Sequence, residues 1–343
     1  MSYVTPHRSS DAPLSEKLSF RRAKSDELSN LKMLYESAWG SDIRITTGQL
    51  FRQIVNFPEG QLVGCLRGSD IPLTMINIMP SLFNPEKGFQ GGYDLVTGGK
   101  TFSTHVPLDV IRREARKGLI GVALCVSVAV LPECASHGFA VETLNHAIAF
   151  AESCGLAAVP YSAPRGFAKA RAGNPRLDII DYLHLTLPPA HSFDEHIARI
   201  SRLNLSQNRI CRAFSGVIPA PHREMFEYYR QLGPDEANMP AETYAFRKFL
   251  KQDALVFGMM QDRQMTVEDF CILTGRRLLD PVMRLHVENG ARYIRNDDGE
   301  LSAVFADSRP EDRSSLGYNV LLSYDYNPLL VGFDLRMDSI SIY

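Results

Sequence analysis

The segment from Gly121 to Gly155 constrains the fold of this chain more than any other. It opens with an apolar run from Val122 to Leu131 that is rich in β-branched residues, which is typical of a strand buried on both faces. Pro132 ends this run, because proline cannot donate to a sheet ladder. After a short loop, apolar residues recur at helical spacing from Ala140 to Ala151. The sequence therefore predicts a buried strand, a tight turn and a helix.

The predicted turn has the composition of an anion-binding site. The first N–H groups of a helix lack backbone partners, and the helix dipole favours negative charge there. Small residues around the helix start would let a phosphate approach the backbone closely. These residues are Ala135, Ser136, Gly138 and Ala140. An ordinary strand–turn–helix unit without a ligand is an equally good interpretation of this segment alone.

Composition places the chain among ordinary globular proteins. It has 343 residues, of which 45% are hydrophobic and 22% charged, and its net charge is −2. No long-range field of one sign therefore favours nucleic acid or an anionic membrane as a partner. The six cysteines are scattered, and no signal core or membrane-spanning apolar run is found. We therefore expect a cytoplasmic protein with buried thiols and no metal site.

Around this segment, the patterns predict strands and helices in a definite order. Strands are expected where short runs are rich in β-branched and apolar residues, and helices where apolar residues recur every three to four positions. The predicted elements are the strand Leu18–Arg22, the helix Leu28–Trp39, a helix capped by Thr46 or Thr47 and ending at Val55, the hairpin strands Gln61–Leu66 and Leu73–Met79, and the strand Ala157–Tyr161.

This order of elements resembles that of the GNAT acyltransferase superfamily. The turn also resembles the acyl-CoA motif of that superfamily, Arg/Gln-x-x-Gly-x-Gly/Ala, which here reads Ala135-Ser136-His137-Gly138-Phe139-Ala140. Its last three positions fit, whereas Ala135 replaces the usual Arg or Gln. The resemblance implies an α+β fold with a mixed sheet, the GNAT acyl-CoA acyltransferase fold. It also implies a bulge in the central strand that splays the sheet open.

Other motifs resemble one GNAT branch. This branch includes acetyltransferase domains linked to nitrilase-type carbon–nitrogen hydrolases and, more distantly, GNAT-like decarboxylases that load polyketide synthases. The segment Tyr93–His105 resembles its pattern W-D-x-V-T-G-x-x-T-F-x-T-H. The segment Val267–Ala291 resembles E-x-x-x-R-G-x-L-x-D-P-V-L followed by N-G-F, with Asp280 capping a helix. The resemblance covers residues 18–170 and 265–328.

The resemblance divides the chain into four parts. Residues 1–17 are polar and contain two prolines, which favours a flexible arm. Residues 18–170 and 265–343 would form the two parts of the GNAT fold. Residues 171–264 show helical patterns separated by prolines, at 193–203, 223–232 and 243–250, and predict a helical insertion. A lid over the site and an interface between two copies of the chain are both compatible with this insertion.

The resemblance also implies where CoA would bind. Backbone groups of Val128 and Val130 on the central strand would pair with the pantetheine arm, and the N–H near Val128 would stabilise the oxyanion. The turn would hold the pyrophosphate, through Ala135, Ser136, His137, Gly138, Phe139 and Ala140. Cys125 and Ser127 lie two positions apart on the same strand, so we expect them to share one face.

Three residues are candidates for catalysis. His286 lies four residues before the glycine that ends its predicted helix, where many GNAT enzymes have a tyrosine aimed at the CoA sulfur. Histidine titrates near neutrality and can give or take a proton. His105 and Thr104 lie in the segment that faces the acceptor in related folds. An ordinary structural role is the alternative for each of them.

The resemblance favours an N-acyltransferase that uses acyl-CoA or an acyl carrier protein as donor. The acceptor would be a small amine or amino acid, which would attack the thioester directly. One alternative is a decarboxylase of malonyl or methylmalonyl thioesters, in which Thr104 with His105, or Ser127 with His286, polarises the thioester. The other is a non-catalytic protein that binds a thioester or a partner protein. The expected partners are therefore the small acceptor, an acyl carrier protein or a second copy of the chain.

Overall fold

A computed structural model of the chain describes residues 18–40, 45–84, 93–188, 190, 266–268, 271, 276–295 and 300–324. The chain divides into two compact units, Met1–Ala163 with Ile294–Tyr343 and Pro164–Tyr293. They are called the first unit and the second unit below. The predicted arm at 1–17 and the helical patterns at 193–203, 223–232 and 243–250 lie outside the described residues.

The first unit begins with the elements that the sequence predicts. They are β1 (Leu18–Arg22), α1 (Leu28–Trp39), α2 (Thr47–Asn56), β2 (Gln61–Leu66) and β3 (Pro72–Phe83), of which β3 runs well beyond its predicted end at Met79. The predicted cap of α2 is confirmed, because the Thr46 hydroxyl accepts a hydrogen bond from the N–H of Gln49, whose side chain accepts one from the N–H of Thr46. Two short helices follow that the sequence pattern does not predict, α3 (Tyr93–Val96) and α4 (Leu108–Glu114).

The predicted strand–turn–helix segment is confirmed as β4 (Ile120–Val130) followed by α5 (Phe139–Ser153) and β5 (Ala157–Ser162). Between β4 and α5, the residues Pro132–His137 form a 3-10 helix. Gly138 then takes the left-handed conformation, with φ 78°, which glycine adopts without the steric cost that a Cβ atom imposes. The chain therefore passes from the sheet into α5 through a 3-10 turn that ends at a left-handed glycine.

The second unit is described by its own elements. They are α6 (Phe167–Gly173), α7 (Ile179–Leu183), β6 (Thr186–Leu187), β7 (Arg277–Leu278), α8 (Pro281–Glu288) and β8 (Arg292–Tyr293). β6 and β7 pair antiparallel. Asp280 caps α8 as predicted, accepting hydrogen bonds from the N–H groups of Val282 and Met283 at 2.9 and 3.0 Å. Its other oxygen accepts hydrogen bonds from the N–H of Gly166 and the hydroxyl of Tyr182, both at 2.9 Å.

The strands of the first unit form one mixed sheet. After the second unit the chain adds β9 (Val304–Phe305) and β10 (Asn319–Ser323). The strand order is β1-β2-β3-β4-β5-β10, with β9 paired to β10. β4 and β5 are parallel, whereas the pairs from β1 to β4 and the pair β5–β10 are antiparallel. The predicted α+β fold with a mixed sheet is therefore confirmed.

The two faces of β4 pack against different helices. Ala129 lies in a buried cluster with Tyr35 of α1. Its neighbour Val130 packs in another cluster with Phe139 of α5. Because successive residues of a strand point to opposite faces, α1 and α5 cover opposite sides of the sheet. We call these sides the α1 face and the α5 face.

The α1 face continues across β5. On β3, Met75 belongs to the cluster around α1, and Met79, four residues on, belongs to a second buried cluster that includes Tyr161 of β5. Residues four apart on a strand share a face. Tyr93 and Phe102, from the connection between β3 and β4, complete this second cluster. The α1 face is therefore buried on both sides of the β4–β5 boundary.

Candidate functional site

An extra residue in β4 opens the sheet at its centre. Ser127 pairs with Asn77 of β3, and Cys125 pairs with the next β3 residue, Ile78. Val126 between them has no partner on β3 and forms a β-bulge. The prediction that Cys125 and Ser127 share a face is wrong, because the bulge shifts the alternation by one residue. Ser127 faces the α1 side, and Cys125 faces the opposite side.

β4 and β5 separate beyond this bulge. Their parallel ladder ends where Cys125 lies opposite Pro160. The remaining residues of β5 pair with β10, and within the described residues no strand pairs with the last part of β4 on that side. Backbone groups there are accordingly open to an extended ligand. The half-buried residues along this edge are Ser127, Val128 and Val130.

The turn after β4 presents backbone N–H groups at the same end of the strand. The helical ladder of α5 starts with the bond from the N–H of Glu142 to the carbonyl of Gly138 at 3.1 Å. The N–H groups before it precede the ladder, and no side-chain cap from a described residue accepts at this helix start. Among the predicted phosphate contacts, Ala135 and His137 are exposed, Gly138 and Ala140 are half-buried, Phe139 is buried, and Ser136 lies in the 3-10 turn.

A buried polar network reaches the opening from the α1 face. The Asn77 side-chain nitrogen donates to the Oε1 atoms of Gln53 at 2.9 Å and Gln61 at 2.6 Å. Its Oδ1 accepts hydrogen bonds from the hydroxyl of Tyr35 and from that of Ser127, the latter at 2.9 Å. Tyr35, Gln53, Gln61 and Asn77 are each at most 2% exposed. These hydrogen bonds offset the cost of burying the polar groups.

The network fixes which way the amide of Asn77 points. Both of its N–H bonds are taken by the glutamines, so its oxygen must face the two hydroxyls. The hydroxyls of Tyr35 and Ser127 also contact each other. When Tyr35 satisfies Asn77, the proton of Ser127 is available to a ligand in the opening. Burial raises the pKa of Tyr35 far above its usual value, so Tyr35 remains a neutral donor.

The segment with Thr104 and His105 is docked on α2. Three α2 side chains donate to three successive carbonyl groups of this segment: Gln49 to Gly99 at 3.0 Å, Gln53 to Lys100 at 2.8 Å and Asn56 to Thr101 at 2.8 Å. Lys100 and Phe102 have positive φ angles of 65° and 59°, which costs free energy in residues other than glycine. The α2 contacts therefore hold a strained loop in place.

The hydrogen bonds of Thr104 and His105 do not join the network around Asn77. The Thr104 hydroxyl donates to the carbonyl of Val96 at 2.6 Å, and Nδ1 of His105 lies 3.0 Å from the carbonyl of Phe102. The His105 ring stacks on Phe57, whose ring contacts Phe150 in the last part of α5. His105 thus lies toward the C-terminal end of α5, whereas the phosphate turn lies at its N-terminal end.

His286 lies on α8, in the second unit. Its side chain is 4% exposed. Burial lowers the pKa of His286 to about 4. The imidazole is therefore neutral at physiological pH, and the burial that keeps it neutral also makes it a weak base. Thr104, His105, Ser127 and the turn all belong to the first unit.

Comparison with known proteins bears on the fold. No family model and no curated protein matches the chain. A solved structure, the loading GNATL domain of CurA from Lyngbya majuscula, superposes with a TM-score of 0.50 at 15% identity, covering 90% of this chain and 97% of that domain. The chain has a GNAT-like fold. Two further structures are less similar to it.

The first is the GphF GNAT-like decarboxylase in complex with isobutyryl-CoA, with a TM-score of 0.49 at 15% identity, covering 89% of this chain and 97% of that chain. The second is a malonyl-CoA decarboxylase from Rhodopseudomonas palustris, with a TM-score of 0.42 at 14% identity, covering 92% and 61%. The fold rests on the likeness to the CurA domain, which at 15% identity shows the fold alone, and the resemblance to the nitrilase-linked branch stays a prediction.

The described residues include neither a metal-binding group nor a membrane-spanning helix. No group of three or more His, Cys, Asp or Glu side chains among them is placed to hold a metal ion. None of the helices they form is both long enough and apolar enough to span a bilayer.

Proposed function

We propose that the chain binds an acyl thioester, of CoA or of an acyl carrier protein, in the opening between β4 and β5. The observation that supports this is the bulge at Val126, beyond which β4 loses its pairing with β5. A pantetheine arm is an extended chain with two amide groups, so it can pair with the open edge at Val128 and Val130 as an added strand would. The turn at 135–140 would then receive the pyrophosphate.

The reaction that we propose first is direct acyl transfer to an amine. The amine nitrogen attacks the thioester carbonyl to form a carbon–nitrogen bond, and the proton of the amine passes to a base. The carbon–sulfur bond breaks, and the thiolate leaves and takes up a proton to give the free thiol. Holding the thioester beside the amine removes most of the entropic cost of this encounter. The N–H near Val128 and the hydroxyl of Ser127 would donate to the carbonyl oxygen as negative charge develops. The roles of His286 as base and of His105 with Thr104 at the acceptor stay predictions.

A second candidate reaction is decarboxylation of a malonyl or methylmalonyl thioester. The neutral network around Asn77 favours it. When the carbon–carbon bond breaks, carbon dioxide leaves and the electron pair forms a thioester enolate, which then takes up a proton. The enolate oxygen needs a hydrogen-bond donor that is not itself ionised. The Ser127 hydroxyl, held by Tyr35 and Asn77, has this character.

The proposed function is tested by binding and turnover in parallel. Thermal-shift assays with CoA, acetyl-CoA, malonyl-CoA and long-chain acyl-CoAs report which donor stabilises the folded protein. The same thioesters are then incubated with and without an amine panel, and free thiol and carbon dioxide are measured. Amine-dependent thiol release supports acyl transfer, and carbon dioxide release without amine supports decarboxylation. Failure to bind any CoA thioester or any phosphopantetheine-loaded carrier protein would contradict the proposed site.

A further inference from the structure

Arg309 is a buried cation without an ion pair to any described residue. It follows β9, and it is 6% exposed. Its guanidinium carbon lies 3.6 Å from the centre of the Tyr93 ring. Among the described residues no carboxylate forms an ion pair with Arg309, and its Nε has no hydrogen-bond partner. The nearby Glu311 is engaged elsewhere, since its carboxylate pairs with Lys100 at 2.6 Å.

Such an arrangement is unfavourable unless something else pairs with the charge. Removing a guanidinium from water carries a large desolvation cost, which an ion pair or several hydrogen bonds normally offset. The cation–π contact with Tyr93 offsets part of this cost. A carboxylate on a ligand would supply the missing counter-ion. Glu311 lies within electrostatic range of Arg309, but its side chain is 40% exposed and bound to Lys100.

The position of Arg309 connects it to the opening between β4 and β5. The Tyr93 ring beneath its guanidinium contacts the Tyr161 ring, with 5.6 Å between centroids. Tyr161 is the first β5 residue beyond the ladder to β4, and its hydroxyl is 2.8 Å from that of Ser308. The charge of Arg309 also acts on the pKa of Tyr35, in the network around Asn77. Arg309 is therefore placed, through Tyr93, beside the β5 side of the opening on the α1 face.

We propose that Arg309 binds a carboxylate group of the substrate on the α1 face of this opening. A guanidinium matches a carboxylate with two parallel N–H···O bonds, and such charge-assisted bonds are stronger than neutral ones. The inference rests on the proposed thioester site and narrows its substrates to acids. The carboxylate has two possible sources, which are a dicarboxylic acyl group on the thioester and an amino-acid acceptor.

The test measures whether Arg309 distinguishes acids from uncharged counterparts. Isothermal titration calorimetry compares malonyl-CoA and succinyl-CoA with propionyl-CoA and butyryl-CoA. A second arm compares free amino acids with their amides in the presence of CoA. We expect wild type to prefer the acid in one arm, and that arm identifies the source of the carboxylate. In Arg309→Met the acid should bind about a hundredfold more weakly, whereas the uncharged counterpart should change less than about threefold.

Two further variants sharpen the comparison. Arg309→Lys retains the charge but not the planar fork, so it should recover only part of the preference for the acid. Glu311→Gln is the matched control on the surface, and it should leave the preference unchanged. Equal affinity of wild type for acids and uncharged counterparts in both arms would overturn the role of Arg309 while leaving the thioester site intact. Failure of every CoA thioester and of every phosphopantetheine-loaded carrier protein to bind would instead contradict the proposed function.

The melting temperature of the ligand-free protein separates binding from a purely structural role. Arg309→Met removes a buried charge that has no ion pair among the described residues and fills a similar volume, so the ligand-free variant should melt at or above the temperature of wild type. The extra stabilisation of wild type by the acidic ligand should disappear in the variant. A fall of more than about 5 °C in the ligand-free melting temperature would show that Arg309 stabilises the fold itself and would overturn the inference.

Discussion

Replacing Asn77 with leucine should strongly destabilise the first unit. Leucine has a similar volume, so the change removes hydrogen bonds without leaving a large cavity. The Oε1 atoms of Gln53 and Gln61 each lose a donor in a fully buried position. Tyr35 and Ser127 keep their contact with each other. An unsatisfied buried acceptor costs about 1–3 kcal/mol, so the two glutamines together predict a loss of about 4 kcal/mol.

Urea unfolding of wild type, Asn77→Leu and Ser127→Ala measures this loss. The midpoint of Asn77→Leu should fall with little change in the slope, since the surface exposed on unfolding is nearly the same. Ser127→Ala is the control, because it removes one half-buried hydroxyl while Tyr35 still donates to Asn77. It should cost less than about 1 kcal/mol. A cost below about 1 kcal/mol for Asn77→Leu would refute the view that this network is tightly satisfied.

Three further predictions concern single residues. In the thermal-shift assay, Gly138→Val should abolish the stabilisation of the protein by CoA. Gly118→Val is the control and should retain this stabilisation, because Gly118 has a similar positive φ of 86° with open space around it. His286 has a folded pKa of about 4 against an ordinary value of 6.5, so as the pH falls it is protonated in the unfolded chain before it is protonated in the folded one. The stability present above pH 6.5 should therefore be lost as the pH falls toward 4. In urea unfolding, wild type should lose about 3 kcal/mol more than His286→Gln over this pH range. The Cys125 thiol, whose pKa burial raises to about 12, should resist iodoacetamide at pH 8 in the native protein, while half-buried Cys154 should be alkylated, as mass spectrometry would show.

The order of elements was predictable because each depends on local chemistry. The capping box of Thr46 and Gln49, the apolar run before Pro132 and the cap at Asp280 are each formed by residues close together in the chain. Apolar periodicity likewise locates β4 and α5 within two residues of their observed ends. Such local signals predict the elements correctly because the tertiary contacts favour the same elements.

The chemistry of the opening was not predictable, because it depends on pairing between distant segments. The family resemblance implies a bulge in the central strand, but its position at Val126 is defined only by the register against β3, because the apolar run of β4 has the same sequence pattern with or without it. One signal was present, since Asn77 interrupts the apolar run of β3 with a polar side chain. Its partners at Gln53 and Gln61 lie 24 and 16 residues away. Arg309 gave no signal, because nothing local shows that an arginine in a polar loop is buried.

The short ladder between β6 and β7 has a consequence for how this protein can change over evolution. It places Leu187 beside Arg277 and Thr186 beside Leu278, so the intervening chain leaves and returns at one point. Closing such a loop depends only weakly on its length, about 0.6 kcal/mol for each doubling. The closure cost of the chain between these strands would therefore change little if that chain were lengthened or shortened, so its length can vary in evolution while the β6–β7 pairing is kept.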